Sequence, residues 1–99
     1  MGLAFQPAYS TGVTVTPNTS SQTITLGFTS ESLVFTNLGA TTVYVRVGTA
    51  TSGTPATTAG YPVVASSQVS IGKDQDDDTV SFISPDGPGS LHIIQGIGL

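Results

Sequence analysis

The chain has 99 residues, enough for one domain, and no cysteine, so neither disulfides nor thiol chemistry is available to it. Only 8% of its residues are charged, against about 25% in an ordinary soluble domain; serine and threonine, more than a quarter of the chain, take their place. With a net charge of -4 and only Arg46 and Lys73 as basic residues, it lacks the cations that displace counterions from nucleic acid or attract anionic membranes, so neither partner is expected.

Residues 1–11 carry Leu3, Phe5 and Tyr9 without alternation. They read as an extended N-terminal arm whose apolar side chains need a surface, on the same subunit or on a neighbour. The start, Met1-Gly2-Leu3-Ala4-Phe5, has no basic segment and no long apolar stretch, so the chain is expected to be used without crossing a membrane by the classical route. No run approaches the roughly 20 apolar residues of a membrane helix.

From residue 12 onward the period is two, which gives each strand one apolar and one polar face. Val13 and Val15 alternate with Thr14 and Thr16, predicting a strand near 12–16. Pro17-Asn18 marks a turn, and the formal glycosylation sequon Asn18-Thr19-Ser20 is read as chance. Ile24, Leu26 and Phe28 predict a strand near 22–28. Leu33-Val34-Phe35 is apolar without alternation, as expected of a strand near 31–37 that is covered on both sides.

After the Asn37-Leu38-Gly39 turn, Val43, Val45 and Val47 alternate with Thr42, Tyr44 and Arg46 over 41–48. Residues 49–62, rich in Thr, Ala, Gly and Pro, read as one long loop, of a length usually functional or mobile. Val69 with Ile71, Val80 with Phe82, and Leu91 with Ile93 predict strands near 67–71, 79–84 and 90–95. The last two are separated by Pro85-Asp86-Gly87-Pro88-Gly89. No segment sustains a 3.6 period. Short strands at this spacing predict an all-β fold, a single antiparallel β-sandwich of about seven to eight strands, jelly-roll or immunoglobulin-like, over residues 12–99.

Little in this pattern carries chemistry. His92 is the only histidine and falls mid-strand, on the side opposite Leu91 and Ile93. A Ser-His-Asp triad would have to use it, with Asp86 as the nearest upstream acid, and there is no Gly-x-Ser-x-Gly elbow. One histidine without cysteine cannot supply a usual zinc set. Asp74-Gln75-Asp76-Asp77-Asp78 resembles the first half of a calcium loop, but Thr79 and Pro85 stand where the glycine and glutamate belong. It reads foremost as a solvated turn, with weak calcium binding as the alternative. No catalytic residue, cofactor or metal site is therefore expected.

The candidate residues are instead those of a partner interface. They are Leu3, Phe5 and Tyr9 on the arm, Arg46 on a polar strand face, Tyr61 in the long loop, and Ile97 and Leu99 on the Gly-punctuated terminus. Arg46 could anchor an acid across a subunit contact; a cation–π or cross-strand pair within the chain is the simpler reading. Ile97 and Leu99 suit docking, or tucking back onto their own sheet. Charged side chains are a main defence of exposed strand edges. A β-rich chain with so few is expected to live with its surface covered in an assembly; the competing expectation is a monomer kept apart by its hydroxyl groups.

Residues 36–49 read Thr-Asn-Leu-Gly-Ala-Thr-Thr-Val-Tyr-Val-Arg-Val-Gly-Thr, Tyr61-Pro62-Val63 follows, and the chain closes on Leu91-His92-Ile93-Ile94-Gln95-Gly96-Ile97-Gly98-Leu99. Over residues 31–99 this order resembles small structural proteins of tailed-bacteriophage virions, in which an Asn-x-Gly turn precedes a Val-Tyr-Val-Arg-x-Gly strand. The N-terminal third departs from that pattern. The resemblance implies a β-sandwich that decorates the capsid exterior as a cement protein, clamping neighbouring capsid subunits. It further implies the major capsid protein or another virion protein as partner, a trimer or dimer of the chain itself, and assembly in the bacterial host cytoplasm. A head–tail connector, tail or fibre-attachment component is the alternative. A carbohydrate-binding module using Tyr9, Tyr44 and Tyr61 is a second.

Overall fold

The computed structural model describes residues 6–7, 9–26, 31–48, 58, 60–72 and 78–97. Its strands are β1 (Gln6–Pro7), β2 (Val13–Val15), β3 (Gln22–Thr25), β4 (Ser32–Asn37), β5 (Val43–Gly48), β6 (Tyr61–Val63), β7 (Gln68–Gly72), β8 (Thr79–Ile83) and β9 (Leu91–Ile97). They form two antiparallel sheets, one in the order β1-β9-β4-β7 with β2 also on β9, the other in the order β3-β8-β5-β6.

β1 and β2 are two pieces of one edge. Pro7 faces Gly96 and Val13 faces Ile93, so six steps along one strand match three along the other. The 3₁₀ turn Tyr9–Thr11 takes up the excess. It also supplies the Thr11 hydroxyl that accepts the Gln95 N–H at 3.1 Å. The nine segments thus fill eight positions, and every connection except β5–β6 crosses from one sheet to the other. That order is the jelly roll of the two sandwiches expected; an immunoglobulin-like domain joins several neighbours within a sheet.

The core lies between the sheets. Leu33, Phe35, Leu91 and Ile93 from one sheet meet Val43, Val45, Val63, Val80 and Phe82 from the other, with Leu26 beside them. Each fully buried aliphatic or phenyl side chain contributes about 1.5–3 kcal/mol. The non-alternating Leu33-Val34-Phe35 is buried throughout, since β4 is a central strand with neighbours on both sides.

The long loop read over 49–62 needs correcting at its end. Tyr61–Val63 is a strand, with Val63 opposite Val43 and Tyr61 opposite Val45. The Gly60-Tyr61-Pro62 cluster had the signature of a turn, but Val63 has a fully buried place to fill. Proline is tolerated there because β6 is an edge.

The connections 16–21, 38–42, 64–67 and 84–90 all lie at one end of the sandwich, and small polar side chains tie them together. Asn37, 1% exposed, donates through Nδ2 to Thr41 O and to Val63 O, each at 2.8 Å, and accepts the Gly39 N–H at 2.9 Å. Its own N–H donates to Ser67 O. The Thr41 and Ser84 hydroxyls are 2.8 Å apart. The N–H groups of Ser84 and Gly89 donate to Asn18 O and Pro17 O. Gly39 has no room for a side chain, since a Cβ would lie 2.9 Å from Ser90 N.

Candidate partner-binding surface

Among the described residues, Tyr9, Arg46 and Tyr61, expected to meet a partner, do not converge on one patch. Tyr9, 85% exposed, stands on the bulge between β1 and β2. Tyr61, 53% exposed, is on β6. The short connections place β2 with β3 along one side of the sandwich and β6 with β7 along the other, so the two tyrosines are on opposite sides. Arg46 is exposed on the outer face of the second sheet, in a row with Ser81 and Thr23, and shares that face with Tyr44. The backbone of Ile97 pairs with Gln6. Leu3, Phe5 and Leu99 lie outside the described residues, as do Asp74, Gln75, Asp76 and Asp77 of the acidic run.

Sequence reasoning missed two exposed apolar side chains, Leu38 and Val64, 60% and 55% exposed. Both stand in the short connections next to Asn37 and Val63, at the tied end. The signal was available: an apolar residue inside a Gly/Asn/Ser turn cluster has no strand face to carry it into the core.

His92 lies near the start of β9, on the outer face of the first sheet, flanked by Thr14 and Thr36. It packs over Gly12, where a Cβ would come within 3.1 Å of Nε2. Among the described residues, no three His, Cys, Asp or Glu side chains come together as a metal set. The Asp78 carbonyl accepts the Leu26 N–H, which extends the β3–β8 pairing by one residue.

The second sheet's outer face carries hydroxyls that bond to one another or to the neighbouring backbone. The Thr23 and Ser81 hydroxyls are 3.0 Å apart, and Thr79 Oγ1 donates to Gly48 O at 2.9 Å. These bonds let Ser81 and Thr79 be buried on the outward side of a central strand.

The sheet edges differ in what they offer a further strand. In antiparallel pairing, backbone groups alternate between facing one neighbour and the other. The Leu26–Asp78 bond sets this alternation across β3, β8, β5 and β6, and it points the backbone groups of Pro62 away from β5. The outward position on β6 is therefore filled by the one residue type with no N–H, which blunts that edge. On β3 the outward residues are Thr23 and Thr25; on β2, by the β4–β9 alternation that Leu38 and Ser90 continue, the outward residue is Thr14. None of the strand residues on β2, β3 or β7 is charged or proline.

No family model matches the chain, and neither does any curated protein. Among solved structures, it is similar in fold to a chain of the Bacillus endospore appendages, which form a family of disulfide-linked pili. The TM-score is 0.55 at 13% sequence identity, covering 98% of this chain and 91% of that one. A weaker likeness is to the Drosophila NLP core, whose crystal structure bears on pentamer formation and histone binding, with a TM-score of 0.37 at 19% identity over 89% of this chain and 97% of that one. The chain is thus an antiparallel β-sandwich whose fold it shares with a chain from an appendage-forming protein.

Proposed function

We propose that this chain is a non-catalytic structural subunit of a multi-copy particle, and that the particle is a bacteriophage virion whose capsid exterior it decorates. In that role it clamps neighbouring capsid subunits by burying apolar side chains and sheet edges, repeated by symmetry so that weak contacts add. It also associates with further copies of itself. It is used in the virion after assembly in the host cytoplasm.

The observation that carries the reading is the combination of unguarded edges β2, β3 and β7 with exposed Tyr9, Tyr61, Leu38 and Val64 on a chain that is only 8% charged. A free monomer with such a surface is prone to edge-to-edge association. The shared fold with an appendage chain supports a structural role. The disulfide linkage of those pili has no counterpart here, because this chain has no cysteine. The phage setting rests on the resemblance over residues 31–99.

Quantitative mass spectrometry of purified particles tests the reading. Hundreds of copies per particle are expected of a decoration protein. Six, twelve or a few copies would replace it with a connector, tail or fibre-attachment component. Absence from particles would overturn it.

A further inference from the structure

We propose that two copies of the chain join through β7, with Gln68–Gly72 pairing antiparallel to itself about a two-fold axis at Ser70. The first sheets of the two copies then become one continuous sheet. This goes beyond the capsid reading and does not depend on which particle the chain belongs to.

The direction of the backbone groups carries the inference. The Asn37 N–H donates to Ser67 O at 2.8 Å, one step beyond the Thr36–Gln68 pair, so Asn37 and Ser67 are a hydrogen-bonded pair of the β4–β7 ladder. Alternation makes Phe35–Val69 and Leu33–Ile71 bonded pairs as well. The N–H and C=O groups of Gln68, Ser70 and Gly72 consequently point away from β4. All three residues are exposed, and among the described residues β7 ends its sheet.

A two-fold axis at Ser70 matches these groups to themselves. Ser70 faces Ser70 of the partner subunit, Gln68 faces the partner's Gly72, and Gly72 faces the partner's Gln68, so every outward residue meets an outward residue. A slip of one residue would set outward groups against inward ones, and a slip of two would leave one outward residue of each strand unmatched, so the register centred on Ser70 pairs the most groups. On the core side, Val69 falls opposite the partner's Ile71. Both are half-buried at the rim of the hydrophobic core, and the pairing gives each an apolar cross-strand neighbour. On the outer side the pairs are Gln with Gly and Ser with Ser, with no charge and no bulk.

Charge favours the antiparallel sense. Beyond Gly72 the sequence continues into Lys73 and the acidic run 74–78. Antiparallel strands send the two runs to opposite ends, whereas parallel ones would set them side by side. The other edges are poorer candidates for self-pairing. β6 is blocked at Pro62, and β2 and β3 offer one and two outward strand residues against the three of β7. An edge that complements itself closes as an isologous dimer instead of growing without end.

The cysteine-free chain makes the test direct. In the proposed dimer the two residue-70 Cα atoms are about 5.5 Å apart, as in any bonded antiparallel pair, within the roughly 4.4–6.8 Å that a disulfide spans. Under mild oxidation Ser70→Cys is expected to give covalent dimer at least tenfold faster than Thr14→Cys or Thr23→Cys on the other open edges. In sedimentation, the unsubstituted chain is expected to be a concentration-dependent dimer. Ser70→Pro, which removes an outward N–H and fixes φ at that residue, and Ser70→Lys, which sets two charges face to face on an exposed surface, are both expected to be monomers. Ser70→Lys serves as the decisive variant if the proline disturbs folding.

Each of these results would overturn the proposal: no cross-linking advantage for Ser70→Cys, a Ser70→Lys chain as dimeric as the unsubstituted one, or an unsubstituted chain that stays monomeric to millimolar concentration. A disulfide that forms only when Ser70→Cys and Thr23→Cys chains are mixed would overturn it in favour of head-to-tail β7–β3 pairing.

Discussion

β6 and β7 lie along the same side of the sandwich, joined by the connection 64–67, yet they meet solvent in opposite ways. β6 is three residues long, turns Pro62 outward and buries Val63 completely. β7 is five residues long, turns Gln68, Ser70 and Gly72 outward and leaves Val69 and Ile71 half-buried. One edge is closed by its sequence and completed by its own core; the other is open and under-covered. Low charge by itself therefore does not make this surface promiscuous. The chain protects one edge with proline and, among the described residues, leaves its neighbour available for a further strand.

The largest expected effect comes from cutting the tie between the two edges. Asn37 bonds to Val63 O on β6 through its side chain and to Ser67 O, just before β7, through its backbone. Asn37→Ala removes the bonds to Val63 O and Thr41 O and the acceptor of the Gly39 N–H, each contributing about 0.5–1.5 kcal/mol. A loss of about 3 kcal/mol in urea unfolding is expected; a loss below about 1 kcal/mol would show that the two edges hold together without it.

Truncation on each edge sharpens the contrast. Val63→Ala, in a fully buried position, is expected to cost about 2 kcal/mol, and Ile71→Ala, at the open rim, about 1 kcal/mol in the isolated chain despite removing more carbon. At concentrations where the chain self-associates, the order should reverse, because Ile71 then becomes an interface residue. An unchanged order at all concentrations would mean that β7 stays uncovered.

Two smaller effects probe the backbone. Ser66, in the connection between β6 and β7, has φ 59°, a conformation that strains a residue bearing a Cβ. Ser66→Gly is expected to raise stability by about 0.5 kcal/mol, glycine's greater freedom in the unfolded chain offsetting part of the relief. Pro62→Thr restores an outward N–H on β6. It is expected to cost less than about 1 kcal/mol but to increase aggregation in light scattering. Unchanged scattering would remove proline from its guarding role.

The all-β sandwich was legible because the valine and isoleucine alternation from Val13 to Ile93 specifies which face of each strand turns inward. The choice of jelly roll was not, since that depends on which strands pair, and pairing is set by long-range contacts such as Phe35 with both Ile93 and Val69. β6 was hidden because Pro62 beside Gly60 has the local signature of a turn, and only the vacancy opposite Val43 makes Val63 a strand residue. The interface residues were legible one at a time, as apolar or cationic side chains out of pattern. That Tyr9, Arg46 and Tyr61 fall on different surfaces follows from topology, as does the openness of β7, whose outward residues are ordinary Gln, Ser and Gly.

Amide hydrogen exchange, measured on the isolated chain at low concentration and on the chain within its purified particle, tests most directly whether the open surface is covered in an assembly. The Gln68, Ser70 and Gly72 amides are expected to exchange at least tenfold more slowly in the particle, while the Asn37 and Leu38 amides, already bonded to Ser67 O and Ser90 O, change little. Equal exchange at Gln68, Ser70 and Gly72 in both states would contradict it.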